Sequence, residues 1–147
     1  MRTSGPALRQ WASHHAIHNA AWHEASDALA AAEKAHQLSD SEAFSRIVEV
    51  FLEVVDIRIL IHAREEESDL YQEWLEAQLM SSAEMNALIQ DHDTLRQLTA
   101  DIEQAMIAGR EQEVMSRMHR LLDRGASHSQ HEEAILRWST EGRRVER

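Results

Sequence analysis

Hydrophobic and polar positions follow a helical period along almost the whole chain. Positions 11, 15, 18, 22, 25, 29 and 32 carry Trp, His, His, Trp, Ala, Leu and Ala. Steps of three and four define one face of a helix. The stretch Gln37-Leu-Ser-Asp-Ser41 breaks it, and Ser39 followed by Glu42 has the spacing of a capping box that opens a second helix. That helix shows Phe51, Val55, Ile59, His62 and Glu66 on one face, and Val50, Val54, Ile57 and Ile61 on another. A helix apolar on two faces is either widely buried in a core or in contact with a second copy of the chain. Ser81 and Glu84 repeat the capping spacing. The third helix then carries Met85, Leu88, His92, Leu95, Thr99, Ile102 and Met106, and Gly109 is placed to end it. The fourth runs from about Glu111 to the basic end Arg143–Arg147, with Leu121, Gly125, His128, Glu132, Ile135 and Trp138 in its seam. Turns this short force antiparallel neighbours. The pattern therefore predicts an all-α, up-down-up-down four-helix bundle, with residues 1–147 forming a single domain.

Composition narrows the function more than the fold. The chain carries a formal net charge of −11, which argues against nucleic acid and anionic membrane partners, since both select basic patches. It has no cysteine, so thiolate metal sites, disulfides and thiol redox chemistry are excluded, and a reducing, cytoplasmic location is expected. Trp11 to His18 is too polar for a secretory signal. The longest apolar-rich run, Ile47 to Ile61, contains Glu49, Glu53, Asp56 and Arg58 and does not suit a bilayer.

The candidate chemistry lies in His62-Ala-Arg-Glu-Glu66 and His128-Ser-Gln-His-Glu132. In each, a histidine and a glutamate four residues apart share a helix face, one turn from each other. Antiparallel hairpins allow their levels to be compared. Reflected through the first turn, the 62/66 pair falls near residue 15, three residues from His18. Reflected through the last turn, the 128/132 pair falls near residue 89, three residues from His92. The middle turn relates the two halves within one helical turn. His18, His62, Glu66, His92, His128 and Glu132 are thus expected in one slab about 6 Å thick, at 1.5 Å rise per residue. Four imidazoles and two carboxylates buried without basic partners are costly, and a bound cation relieves that cost. Imidazole and carboxylate without sulfur suit iron, manganese or zinc.

Taken in order, these residues resemble the hemerythrin-like, or HHE cation-binding, family. A histidine on helix one (His18) is followed by His-x-x-x-Glu on helix two (His62, Glu66). Helix three supplies a histidine (His92), and helix four a second His-x-x-x-Glu (His128, Glu132). Neither pair reads as the Glu-x-x-His of ferritin-like bundles. The resemblance covers nearly the whole chain. It implies a non-heme di-iron site, bridged by the two glutamates and a solvent oxygen, that binds or reduces dioxygen, peroxide or nitric oxide. Oxygen carriers of the family have His-x-x-x-His on helix three, whereas here the fourth residue after His92 is Arg96. A fifth histidine is either absent or supplied by His14 or His15, which precede His18 on nearly the same face, or by His131. A missing ligand would leave one iron more open, favouring redox reactivity or sensing over oxygen carriage.

Other residues carry two readings each. Gly125, one turn before His128, either leaves room above the metals or is a packing glycine. Tyr71 is either a hydrogen-bond donor to the site or an ordinary bundle tyrosine, and Glu65, Glu67 and Glu133 are read as solvated, with Glu65 a carboxylate in reserve. The function expected is a di-iron protein acting on a small oxidant. The alternative is a metal- or oxygen-sensing, or iron-storing, interaction module without turnover.

Overall fold

The computed structural model describes the backbone of residues 5–140 and, among side chains, those of residues 12, 13 and 15–135. The side chains of Trp11, His14 and Trp138, and the basic end 143–147, lie outside the described residues. Four helical rods and no strand occur among the described residues, in keeping with a helical bundle. They are α1 (Gly5–Gln37), α2 (41–76), α3 (Ser82–Ile107) and α4 (Glu111–Thr140). Helix α1 packs along α2 and against α4, and α3 packs along α4. No described helix is long and apolar enough to cross a membrane.

The turns follow local chemistry. Gly109 ends α3 at φ 71°, in the left-handed conformation that glycine adopts without a Cβ penalty. Ser81 and Glu84 form the expected capping box, with Ser81 Oγ accepting from Glu84 N at 3.1 Å and Glu84 Oε1 accepting from Ser81 N at 2.8 Å. The first turn departs from expectation. Ser39 takes a left-handed φ of 56° to close α1 and cannot also cap α2. Asp40 takes that place instead, its Oδ1 accepting from Ala43 N at 3.1 Å. At the other end of α2, Gln78 adopts φ 61° and ends the helix at Glu76.

Helix α2 is not uniform. It consists of Ser41–Val55, a π segment Asp56–Leu60, Ile61–Glu65, a second π segment Glu66–Leu70, and Tyr71–Glu76. One line of its buried positions explains why. Phe44, Val48, Phe51, Val55, Ile59, Ala63, Glu66, Leu70 and Trp74 follow in steps of 4-3-4-4-4-3-4-4, with Leu60 and Tyr71 buried beside that line. A 3-4 alternation keeps one face turned to a bundle core, and each run of fours carries one residue too many. A π turn, bonded i→i+5, absorbs that residue. The first π segment turns Ala63 inward, and His62 is rotated to a half-buried position. The second apolar arc is only partly core. Val54 packs against it, whereas Val50, Ile57 and Ile61 stay 52%, 50% and 53% exposed.

Two apolar clusters fill the bundle. The larger includes Ala25, Leu29, Phe44, Phe51, Leu95 and Leu121; the smaller holds Leu70, Tyr71, Trp74, Met80, Leu88 and Ile135. Along α2, α3 and α4, Glu66, His92, His128 and Glu132 fall between the residues of these two clusters. The polar layer thus has hydrocarbon on both sides.

Candidate metal centre

Among the described residues the buried polar ones are few, and their identities are informative. His18, Glu66, His92, His128 and Glu132 are all 1–6% exposed, and the sixth, Thr99, bonds the Leu95 carbonyl at 2.9 Å. Four of them converge: one donor atom from each of Glu66, His92, His128 and Glu132 lies within 4.8 Å of the others. The sequence placed all four at one level, and this group can hold a metal ion.

The contacts run in a chain. Glu66 Oε1 lies 3.1 Å from His92 Nε2, which lies 3.1 Å from His128 Nε2, which in turn lies 3.2 Å from Glu132 Oε2. The two imidazoles thus aim the same nitrogen at each other and at two carboxylates. At most one proton can lie between two facing nitrogens, so lone pairs are left pointing into a shared space. That is the donor chemistry of a cation site.

The outer nitrogens explain the orientation. His92 Nδ1 bonds Glu67 Oε2 at 2.7 Å, and Arg96 holds the same oxygen at 3.3 Å. His128 Nδ1 bonds Asp91 Oδ2 at 2.9 Å, and Arg124 lies 3.4 Å from Asp91 Oδ1. Each ring is therefore fixed by an arginine–carboxylate pair on its outer edge. A carboxylate on the far nitrogen of a metal-binding histidine sets the tautomer and raises the basicity of the inner nitrogen. Glu67, read from the sequence as solvated, is 23% exposed at its side chain and belongs to this arrangement. Asp91 was missed altogether. Its signal was adjacency: each acid stands next in sequence to a ligand-type residue, Glu67 to Glu66 and Asp91 to His92.

Of the two readings of Tyr71, the hydrogen-bond donor is the one its contacts favour. It is fully buried, and its ring stacks on His92 with centroids 5.8 Å apart. Its hydroxyl lies 3.4 Å from Glu66 Oε1 and from His92 Nε2, 3.3 Å from His128 Nε2, and donates to Glu132 Oε2. Five residues along a straight α-helix would put Tyr71 about 140° away from Glu66, at 100° per residue. The π turn Glu66–Leu70 brings it back over Glu66, with Tyr71 N donating to the Glu66 carbonyl.

Electrostatics tie the group together. Burial pushes the Tyr71 phenol well above its ordinary range, and the carboxylates of Glu132 and Glu66 add to the effect. Burial acts to lower His128, but its bonds to Asp91 and Glu132 outweigh that and raise it to about 10. Burial acts to raise Glu132, yet the bond and charge of His128 bring it below its usual value. Asp91 is likewise lowered against its burial, chiefly by His128 and then by Arg124 and His131.

The remaining histidines fall elsewhere. His18 Nδ1 lies 3.6 Å from Glu66 Oε2, the oxygen other than the one facing His92. His62 lies outside the four, with its ring centroid 6.2 Å from that of His18 and its Nδ1 bonded to Glu65 Oε1 at 3.1 Å. His15 lines a groove of about 450 Å³ between α1 and α4, with Asn19, Trp22, Ser129, Gln130 and Glu133. His131 is half-buried beside Asp91. At Gly125 the expected room is filled: a Cβ there would come within 2.4 Å of the Trp22 ring, so the glycine admits the indole.

No protein-family model, curated protein or solved structure matches this chain.

Proposed function

We propose that the chain is a single hemerythrin-like domain, an antiparallel up-down-up-down bundle, that holds a glutamate-bridged dinuclear non-heme iron centre. The centre binds or reacts with dioxygen or a related small oxidant, peroxide or nitric oxide. The observation that carries this reading is the convergence of Glu66, His92, His128 and Glu132 within 4.8 Å between two apolar clusters. A pair of irons there would supply the electrons and the open coordination for a small oxidant. Glu66 favours a bridging role, since one of its oxygens faces His92 and the other faces His18. Glu132, with His128, would complete the inner group, and the Tyr71 hydroxyl would hold Glu132 by its hydrogen bond. The apolar clusters exclude bulk water. Zinc and manganese suit the same donors; iron follows from the ordered resemblance to the family. A cytoplasmic location belongs to this reading. So does a homodimer, for which the half-exposed Val50, Ile57 and Ile61 offer a surface.

The test is aerobic iron loading with a metal count and an optical spectrum. About two irons per chain and an oxo-to-iron charge-transfer band are expected. Fewer than one iron and no band would refute the reading. Glu66→Ala should abolish dinuclear loading. The second reading, a sensing or storage module, draws on the enclosure of the four donors. It predicts a large metal-induced rise in melting temperature with no consumption of oxidant.

A further inference from the structure

The six ligand-type residues are not equivalent. Glu66, His92, His128 and Glu132 form a closed set, 1–5% exposed, with both imidazoles fixed from outside by Glu67–Arg96 and Asp91–Arg124. Four donors are a full complement for one tetrahedral ion, whose ligand atoms lie about 3.4 Å apart when each bond is about 2.1 Å. Three of the six donor pairs, at 3.1, 3.1 and 3.2 Å, are already close to that spacing, and all six lie within 4.8 Å.

The other half is looser. His18 approaches Glu66 Oε2 at 3.6 Å, its ring lies 6.2 Å from that of His62, and the His62 side chain is 29% exposed. The carboxylate on His62 Nδ1 is Glu65, itself 54% exposed, so that hydrogen bond competes with water. His62 is turned outward because the π segment Asp56–Leu60 gives the inward position to Ala63. A second ion held by His18, His62 and the Oε2 side of Glu66 would require the His18 and His62 rings to close on it. Ordering a partly exposed side chain such as His62 reduces affinity, whereas a preorganised set has little left to order.

We propose that metal loads in order. The first ion enters the closed set of Glu66, His92, His128 and Glu132. The second enters weakly at His18 and His62, sharing Glu66, so that a one-metal form is a stable state of the protein. The inference rests on the dinuclear reading, and it makes the second position the exchangeable one. A weakly held second ion would let the two-metal state track the metal supply.

The experiment is a titration of the metal-free 147-residue chain with Co²⁺ under anaerobic conditions. It is followed by the cobalt absorption bands and by competition with a chromophoric chelator. Two steps of one ion per chain are expected, the first at least about tenfold tighter than the second, the smaller end of what outer carboxylates contribute to metal affinity. His18→Ala and, separately, His62→Ala should remove the second step and move the first by less than about threefold. His128→Ala should remove the first. His18→Gln, checked for unchanged helicity, repeats the test with less change of volume. A single step taking up two ions, or a first step weakened as much by His18→Ala as by His128→Ala, would overturn the ordered loading while leaving a dinuclear centre standing. One ion per chain at every cobalt concentration, unaffected by His18→Ala, would instead refute the dinuclear centre and the ordered loading with it.

Discussion

Asp91→Asn isolates the outer carboxylate on His128. The substitution keeps the size of the side chain and removes its charge. Asp91 Oδ2 accepts from His128 Nδ1 at 2.9 Å, and its side chain is only 17% exposed, so water replaces it poorly. Loss of such a partner weakens metal binding by about 10–100-fold, or about 1.4–2.7 kcal/mol. Linkage turns this into a stability measurement. At free metal about a thousand times the dissociation constant, the unaltered chain gains about 4.1 kcal/mol. At the same metal concentration the variant sits at only about 10–100 times its own constant and gains about 1.4–2.7 kcal/mol. With about 2–4 °C per kcal/mol for a chain of this size, the metal-induced rise in melting temperature should shrink by a third to two thirds. Calorimetry with and without metal, beside chelator competition, reads both numbers. Glu42→Gln is the control. It likewise exchanges a carboxylate for an amide, in the first turn of α2, where the side chain is 86% exposed and pairs with Arg46 at 3.6 Å. If Asp91→Asn leaves the metal-induced shift equal to that of Glu42→Gln, the outer carboxylate does not support His128.

Tyr71→Phe should lower the melting temperature of the metal-free protein, because buried Glu132 loses the phenol that donates to it; a cost of about 1–3 kcal/mol is expected. An unchanged melting temperature would remove the phenol from the hydrogen-bonding account of the site. Gly125→Ala places a Cβ 2.4 Å from the Trp22 ring and should destabilise by about 1–3 kcal/mol. Combined with Trp22→Ala, the same change should cost much less than it does alone, and simple additivity would contradict the packing assignment. In the metal-free protein, His128 is raised to about 10, above its unfolded value near 6.5. Its contribution is therefore full below about pH 6.5 and falls as pH rises through about 10. Glu132 is lowered, so its contribution is present above the ordinary carboxylate range and is lost as pH falls below it. Melting temperature against pH should show both arms, and Asp91→Asn should flatten the alkaline one. Asp40→Ala should cost about 1 kcal/mol, as an N-cap does, while Ser39→Ala should not reproduce that loss.

What could be read from the sequence was whatever depends on the rise of a helix. His18, Glu66, His92, His128 and Glu132 emerged at one level because 1.5 Å per residue and short turns fix height without knowledge of side-chain contacts. Azimuth is more fragile. A residue absorbed in a π turn leaves height almost unchanged and rotates everything that follows. His62 was therefore expected on the buried face with Glu66 and is instead half-buried beside His18, while Tyr71, for which a donor to the site and an ordinary bundle tyrosine were both open, is returned over Glu66. The steps of 4-4 at Val55, Ile59 and Ala63, and at Glu66, Leu70 and Trp74, do record both insertions. They become legible only once Ala63, rather than His62, is known to be buried, because alanine carries little pattern of its own. Glu67 and Asp91 were illegible for another reason. An acid beside a ligand in sequence looks like any solvated acid until the facing ring nitrogen is located.

The two π segments give α2 its role. They bracket Ile61–Glu65, and each makes a placement that a straight helix does not. The first gives the inward position to Ala63 and leaves His62 at the edge of the bundle, beside His18. The second brings Tyr71 back over Glu66, so that one helix supplies both a carboxylate and a phenol to the buried layer. Without the second insertion, Glu132 would lose the hydroxyl that now donates to it, and a buried carboxylate with fewer partners is destabilising. The difference between the enclosed half of the site and its looser half therefore arises along α2 itself. It is set by where two extra residues are absorbed, and α1, α3 and α4 supply their histidines to a layout that α2 has already made unequal.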